Sequence, residues 1–390
     1  MLSPERIVQL HQAPSPLSFP ESPLAKAVKQ PMMLGLFLPT QTGGFSQSTL
    51  PRTTNWHFDY NRDLTLSAER HGFDFVFGLQ QWVPKGGFGG EKHYRENFLD
   101  PFMSTIALGA LTTRIITIST VHVLYGNWHP LMLARFAATA DHIMHGRFGL
   151  NIVTGYDQNE PKMFGMTRID HDERYERADE FSAIMEDLWG GDDNLTYNGR
   201  YYSLEGAYVS PRPEFGRPIL VSASASPTGF KYAARHSDMV FTSSPAGADF
   251  DGAIDALPAH TKQLRDAYND TGRPPKVIIF PLIVCKKTRA EALAYREEIV
   301  NNADWGSIEK FFARHQAGDG HGWKQHDAAD RILGGHLQIT GSPEDVADAL
   351  ERLKEAGFDG VQLGFYDYAP DLEFFAENVL PLLKARGLRL

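Results

Sequence analysis

Two stretches of this 390-residue chain combine residue types and spacings that could do chemistry. The first runs from Arg147-Phe-Gly-Leu-Asn-Ile-Val-Thr-Gly155 to His171-Asp-Glu-Arg-Tyr175. Phe148, Leu150, Ile152 and Val153 read as a buried strand ending at Thr154-Gly155, the end at which an α/β barrel keeps its working groups. His171-Asp-Glu-Arg-Tyr175 then opens a helix in which Asp172 can cap the first turn and the helix dipole favours a nearby anion. The second stretch is Ser222-Ala-Ser-Ala-Ser226. Its side chains are small enough to let backbone N–H groups approach a phosphate, and equally suit a tolerant loop. The strand end of the first stretch and its helix start together look like a place for a phosphate and a ring. No metal is expected. The histidines form no His-x-x-x-His or Glu-x-x-His set with a third partner, and His142-Ile-Met-His145 falls in the turn before the fourth strand, on the barrel's N-terminal side.

The elements that must position these residues follow from the pattern of the chain. Short β-branched or aromatic runs alternate with amphipathic stretches, as parallel strands joined by crossover helices require. Strands are expected at Leu34 to Leu38, Phe73 to Phe77, Ile115 to Val121, Phe148 to Val153, Ile219 to Val221, Met239 to Phe241, Val277 to Val284 and Gly360 to Leu363. Eight is the barrel number. Helices are expected between them, among them Pro101 to Leu111, Pro130 to Ile143, Glu173 to Leu188, Pro227 to His236, Ile254 to Asn269 and Leu372 to Lys384. Three connections exceed plain barrel turns: residues 79–100, Gly-rich; 190–213, a hairpin around Asn198-Gly199; and 301–336, with Gly318, Gly320, Gly322, Gly334 and Gly335. The last is a candidate lid or a surface loop. Residues 1–30, with Pro14, Pro16, Pro20 and Pro23, read as an extended arm lying on the barrel or on a neighbouring subunit.

Composition narrows the function. The formal net charge of -10, with no long Lys/Arg block, excludes the basic footprint that nucleic acid or an anionic membrane would need. A single cysteine, Cys285, allows no internal disulfide and fits a reducing cytoplasm, and no apolar run is long enough to span a bilayer. The partner implied is a small molecule.

Five segments stand in a recognisable order: Thr53-Thr-Asn-Trp-His-Phe-Asp-Tyr-Asn61, Ala68-Glu-Arg-His-Gly-Phe-Asp-Phe75, Ala137-Ala-Thr-Ala-Asp141, Gly146 to Gly155, and His171 to Phe181. Over roughly residues 33 to 385 the chain resembles the flavin-dependent monooxygenases of the bacterial luciferase-like superfamily, in particular two-component enzymes acting on alkanesulfonates, dimethyl sulfone and pyrimidine rings. The resemblance implies one α/β domain over residues 31–390, a luciferase-like (β/α)8 TIM barrel with insertions. It also implies a homodimer or homotetramer. Its cofactor would be FMN, supplied as FMNH2 by a separate NAD(P)H-dependent flavin reductase, with O2 as co-substrate. The absence of Gly-x-Gly-x-x-Gly between a strand and a helix fits this arrangement, because a built-in dinucleotide site would need it. The reaction implied is oxidation and cleavage of a carbon–heteroatom bond, first of a sulfone or sulfonate. Alternatives are ring opening of a pyrimidine or dehalogenation of an aromatic, a deazaflavin-dependent oxidoreductase, or a non-catalytic flavin-binding protein.

Carried over by position, the resemblance places Asn151 at the flavin edge, where it helps seat dioxygen in the pyrimidine-ring enzymes. It makes Glu160 a flavin-contacting acid, Arg174 and Tyr175 the Arg-Tyr pair at the helix start, and Ser224 and Ser226 part of the phosphate turn. Gln80 and Gln81 would face the ring. Each has a plainer reading: Asn151 as a buried amide, Glu160 as a helix cap, Arg174-Tyr175 as a surface turn. His122 departs from the family pattern, which has Thr or a small residue there; it could donate a hydrogen bond in catalysis or fill the core. Trp56, His57, Trp82, Phe88, Tyr125, Trp128 and His129 are the expected aromatic lining for an uncharged or aromatic substrate.

Overall fold

Strands whose residues are apolar on both faces leave no side for solvent, and such runs assemble as a parallel sheet wrapped in helices. In the computed structural model, which describes residues 10–126, 128–268, 276–318 and 327–390, they do so. The chain forms β1 (Met33–Phe37), β2 (Phe75–Gly78), β3 (Ile116–His122) and β4 (Phe148–Val153), then a hairpin of β5 (Leu195–Asn198) and β6 (Ser203–Ala207). There follow β7 (Ile219–Ala223), β8 (Met239–Thr242), β9 (Lys276–Ile279), β10 (Pro281–Cys285), β11 (Leu337–Gly341) and β12 (Gly360–Phe365). Parallel neighbours run β1, β2, β3, β4, β7, β8, β9, β12, and β12 pairs back onto β1 from Met33↔Gly360 to Leu36↔Leu363, closing an eight-stranded barrel. Each expected strand is present, as is the hairpin.

The differences have physical causes. The seventh expected strand is broken at Phe280: β9 pairs with β8 and β12, whereas from Pro281 the chain runs on as β10, which pairs with β12 and with a further parallel strand, β11. No expected strand corresponds to β11, because five residues ending in glycine give little periodicity. The last helix divides into Tyr368–Asn378 and Leu380–Ala385 at Val379, where Pro381 has no N–H to continue the ladder. The 301–336 connection contains an unexpected helix, Trp305–Gln316, capped by the Asp304 side chain; Gly320 and Gly322 lie outside the described residues. The expected helix end at Asn269 and residues 1–9 of the arm lie outside them too. Residues 10–30 are not extended throughout, since they hold a short helix, Pro23–Ala27. Asp170, not Asp172, takes the cap position of helix His171–Gly190, and Asp172 turns to His171 Nδ1 at 2.9 Å.

The N-terminal end of the barrel is sealed by charge pairs. Arg217 meets Asp238 through two bonds of 2.6 and 2.8 Å, both residues fully buried, and the arm adds Ser15 Oγ to Asp238 at 2.5 Å. Arg389, next to the C-terminus, donates to the carbonyls of Met32 and Gly72 and to Asp74, stitching the chain end beneath β1 and β2. Inside the barrel Phe75 fills the space that Gly35 leaves open, and a Cβ on Gly35 would lie 1.9 Å from the Phe75 ring. With no depth to spare, we expect Gly35→Ala to lower stability by ~1 to 3 kcal/mol in urea unfolding, as overpacking does. The double variant Gly35→Ala/Phe75→Leu should recover part of the loss. An unchanged midpoint for the single variant would show that the interior yields where this packing says it cannot.

Candidate active site

The C-terminal ends of the strands surround a cavity of about 290 Å³. Gln80, Gln81, His122, Asn151, Glu160, Arg174, Tyr175, Ser224 and Ser226 all line it. The expected site residues at the strand ends are thus brought to one place.

At its floor, Asn151 on β4 donates through Nδ2 to Thr120 Oγ1 at 3.0 Å, leaving Oδ1 buried and without a partner. Gln362 on β12 has Nε2 in the same condition. Unmet buried polar atoms are costly, and an acceptor and a donor at the base of one cavity suit a planar ligand with polar groups along its edge.

At one end, two helices converge. Ser226 caps helix Pro227–His236, its Oγ accepting from Gly229 N at 3.1 Å. A Cβ on Gly229 would stand 2.7 Å from Tyr175 Oη and 2.8 Å from Ser224 Oγ, so only glycine lets these hydroxyls close on the helix start. Arg174 and Tyr175 come from the first turn of helix His171–Gly190. The hydroxyls of Tyr175, Ser224 and Ser226, the start of helix Pro227–His236 and Arg174 thus line one end of the cavity, a set whose chemistry would suit an anion. Farther along, the two helices are tied by Ser182 Oγ to Tyr232 Oη at 2.7 Å. His236 lies between Glu186, at 2.7 Å, and Asp179, at 2.9 Å. Burial opposes charge on His236, but its bonds to the two carboxylates outweigh it and raise the pKa.

On the next wall, Tyr125 Oη bonds to Glu160 Oε2, and Trp82 N donates to Oε1 at 3.2 Å. His122 Nδ1 lies 3.3 Å from Oε2 without an aligned hydrogen bond. Burial pushes Glu160 up to about 8, helped by the charge of Asp157, and lowers His122 to about 3. At neutral pH the carboxyl keeps its proton and the imidazole is uncharged.

The rest of the lining was not anticipated. Phe37, Phe45, Phe77, Phe241, Phe280 and His336 form an aromatic wall, with Phe37 and Phe280 at 4.8 Å and Phe280 and His336 at 3.7 Å. Marking the last inward residue of each strand would have found Phe37, Phe77 and Phe241. Arg95, Tyr156 and Asp157 complete the rim. Helix Trp305–Gln316 backs them: Tyr156 Oη bonds to His315 Nε2 at 2.9 Å, and Arg314 pairs with Asp157.

The expected aromatic lining is elsewhere. Trp56 and His57 stack on each other at 4.2 Å before helix Phe58–Arg70, outside the cavity. Trp82 is 40% exposed and packs on Phe164, while Trp128 packs on Phe102 beside the outer helices. Phe88 sits in a satellite cluster with Tyr94 and Phe311, and His129 caps helix Pro130–Ile143. Tyr125 does not line the cavity itself and reaches it through Glu160. These loop residues are used in different ways: Trp128 against the outer helices, Phe88 against helix Trp305–Gln316, and Trp56 and His57 against each other.

The chain is similar to known proteins over most of its length. The family model for luciferase-like monooxygenases matches residues 32–360. An FMNH2-dependent dimethylsulfone monooxygenase of Pseudomonas fluorescens (strain Pf0-1) is 29% identical over 365 residues, covering 91% of this chain and 95% of the relative. A pyrimidine monooxygenase of Rhizobium rhizogenes is 29% identical over 364 residues, covering 91% and 97%. Among solved structures, a long-chain alkane monooxygenase shares the fold at a TM-score of 0.78 and 22% identity, with 92% of each chain covered. A riboflavin lyase with modified FMN does so at 0.77 and 24%, also with 92% of each covered. No helix among the described residues is long and apolar enough to cross a membrane. Barrel, strand-end site and family model agree: the chain belongs to the luciferase-like monooxygenases.

Proposed function

We propose that this protein is the oxygenase of a two-component system that takes FMNH2 from a separate NAD(P)H-dependent flavin reductase, in the cytoplasm, and uses O2 to oxidise and cleave a carbon–heteroatom bond of a small organic substrate. A sulfone or sulfonate is the leading substrate class. A pyrimidine ring stands beside it, because relatives with the two activities are equally similar, at 29%. The observation that carries the reading is the pairing of an anion cradle at one end of the cavity with unpartnered amide atoms at its floor. One phosphate and one polar ring edge would satisfy both.

Arg174, Tyr175, Ser224 and Ser226 would hold the phosphate of FMN, with Asn151 and Gln362 at the ring edge and Gln80 and Gln81 beside it. Reduced FMN, when bound, supplies the two electrons that activate dioxygen. The aromatic wall holds the apolar part of the substrate and keeps water out. Glu160 and His122, both uncharged, stabilise the reacting groups without adding a fixed charge to a dry cavity.

The cell partner apart, self-association is part of the proposal. Met103, Leu111, Phe136 and Ile143 are large, exposed and apolar on or beside the adjacent helices Pro101–Ala110 and Pro130–Ile143. A second copy of the chain would cover them. Phe136→Glu should shift the sedimenting species from dimer or tetramer toward monomer; a wild-type protein that sediments as a monomer would remove the idea.

Two further outcomes are expected. Arg174→Ala should weaken binding of reduced FMN by ~1.5 to 3 kcal/mol, as loss of a charge-assisted bond does, read by anaerobic fluorescence titration. Unchanged affinity would take Arg174 out of the cradle. For Glu160 the sign is set by its raised pKa of about 8: the carboxyl is neutral below that pH and ionises above it, so turnover should fall through pH 8 as the cavity gains a charge. Glu160→Gln cannot ionise and should lose that alkaline limb while still turning over at pH 7. Persistence of the limb in the variant would assign it to another group.

A further inference from the structure

Arg95 stands apart from the residues at the anion end of the cavity, and it touches the Glu160 and His122 pair only as a nearby charge that partly offsets the burial of Glu160. This residue stands on the loop between β2 and helix Pro101–Ala110, is 4% exposed, and lines the cavity. Its Nη1 donates to the neutral Gln81 Oε1 at 2.6 Å, and its buried Nε has no partner. Among the described residues it forms no ion pair with a carboxylate. Asp157 already pairs with Arg314, and the Glu160 carboxyl is held by Tyr125 and Trp82. Arg95 lies over the faces of Tyr94 and Phe311, each at 5.2 Å, and Arg331 covers Phe311 from 4.0 Å. Rings alone do not replace the hydration of a buried guanidinium, which calls for an anion.

The backbone is set to present it. Arg95 adopts φ 61°, a left-handed conformation costly for a side chain that is not glycine. The loop holds it there through Arg95 N to Thr42 O at 2.9 Å and Phe88 N to Tyr94 O at 2.8 Å. A Cβ on Gly87 would lie 2.2 Å from Tyr94 O, so the loop is wrapped as tightly as the chain permits. Arg95 enters from the β1 and β2 arc, beside Phe37, Phe45 and Phe77, whereas the anion cradle belongs to the β4 and β7 arc. A cation next to an apolar aromatic wall, apart from the phosphate site, recognises an amphipathic acid.

We propose that Arg95 recognises an acid group of the substrate, so that the compound oxidised is an organic anion, an apolar body ending in one sulfonate or carboxylate, and not a neutral sulfone or ring. This rests on the mouth binding reduced FMN as described above, and it replaces the uncharged or aromatic substrate expected from the aromatic residues of the loops with a charged one. Gln81 orients the guanidinium, leaving its remaining N–H groups for the acid oxygens.

The test uses a matched pair of probes, 1-hexanesulfonate and hexyl methyl sulfone, titrated by calorimetry into the full chain loaded anaerobically with reduced FMN. The wild type should bind the sulfonate at least ~10-fold more tightly than the sulfone, the ratio expected of one charge-assisted bond. Arg95→Met should abolish that ratio while leaving reduced-FMN affinity within about two-fold of wild type. Arg95→Lys, which keeps the charge and loses the fork, should retain a smaller preference, and it serves if the methionine variant does not fold. Equal affinities in the wild type, no measurable binding of the sulfonate, or a preference that survives Arg95→Met overturns the proposal. So does a loss of reduced-FMN affinity with the preference intact, which would give the cation to the flavin. Failure of the wild type to take up reduced FMN at all, read in the loading step before any probe is added, would instead overturn the flavin reading itself.

Discussion

The ladder between β1 and β12 is the constraint on which the rest depends, because it turns an open parallel sheet into a closed ring. Closure sends the C-terminal ends of eight strands to one rim. It also brings the floor amides of Asn151 and Gln362 to the base of one cavity, though they lie on strands far apart in the chain. The ring closes only because its interior is filled to the right depth, and the Gly35 and Phe75 fit shows how little slack is present. The charge pairs of Arg217 with Asp238 and of Arg389 with Asp74 secure the opposite rim, away from the chemistry.

Above that ring, the site separates its charges by position. Cations at Arg174 and Arg95 enter from different arcs, while burial keeps Glu160 and His122 neutral between them. The two helices that form the anion cradle are fixed to each other at their far ends by His236 between Asp179 and Glu186. In the proposed complex a first-turn arginine and a first-turn amide would then act on one phosphate with little freedom left to lose on binding. The wall behind Arg95 and Tyr156 is built by helix Trp305–Gln316, so the enclosure of the cavity on that side depends on a segment outside the barrel ladder.

Much of this was legible in the sequence, for reasons that differ by residue. The strands were visible because parallel strands buried on both faces read as apolar runs, and the rim residues Asn151, Ser224 and Ser226 follow once the strand ends are known. Arg174 and Tyr175 were visible from the helix start. The aromatic wall was not, since whether Phe37 or Phe77 points inward is decided by closure and not by residue type. Trp56 and Trp128 misled for the opposite reason: large aromatic groups in loops can serve the outer packing as well as a ligand. Arg95 was hidden in Glu91-Lys-His-Tyr-Arg-Glu96, a run that reads as a solvated loop, and only the left-handed turn at Arg95 carries its side chain inward.

The central claim is that the mouth of the barrel holds reduced FMN by its phosphate between the two helix starts. A crystal structure of the protein soaked anaerobically with reduced FMN tests it most directly. Phosphate oxygens are expected within hydrogen-bonding distance of Arg174, Tyr175 and the Ser224 to Ser226 turn, with the ring edge on Asn151 and Gln362. Flavin bound elsewhere, or bound with its phosphate away from both helix starts, would contradict it.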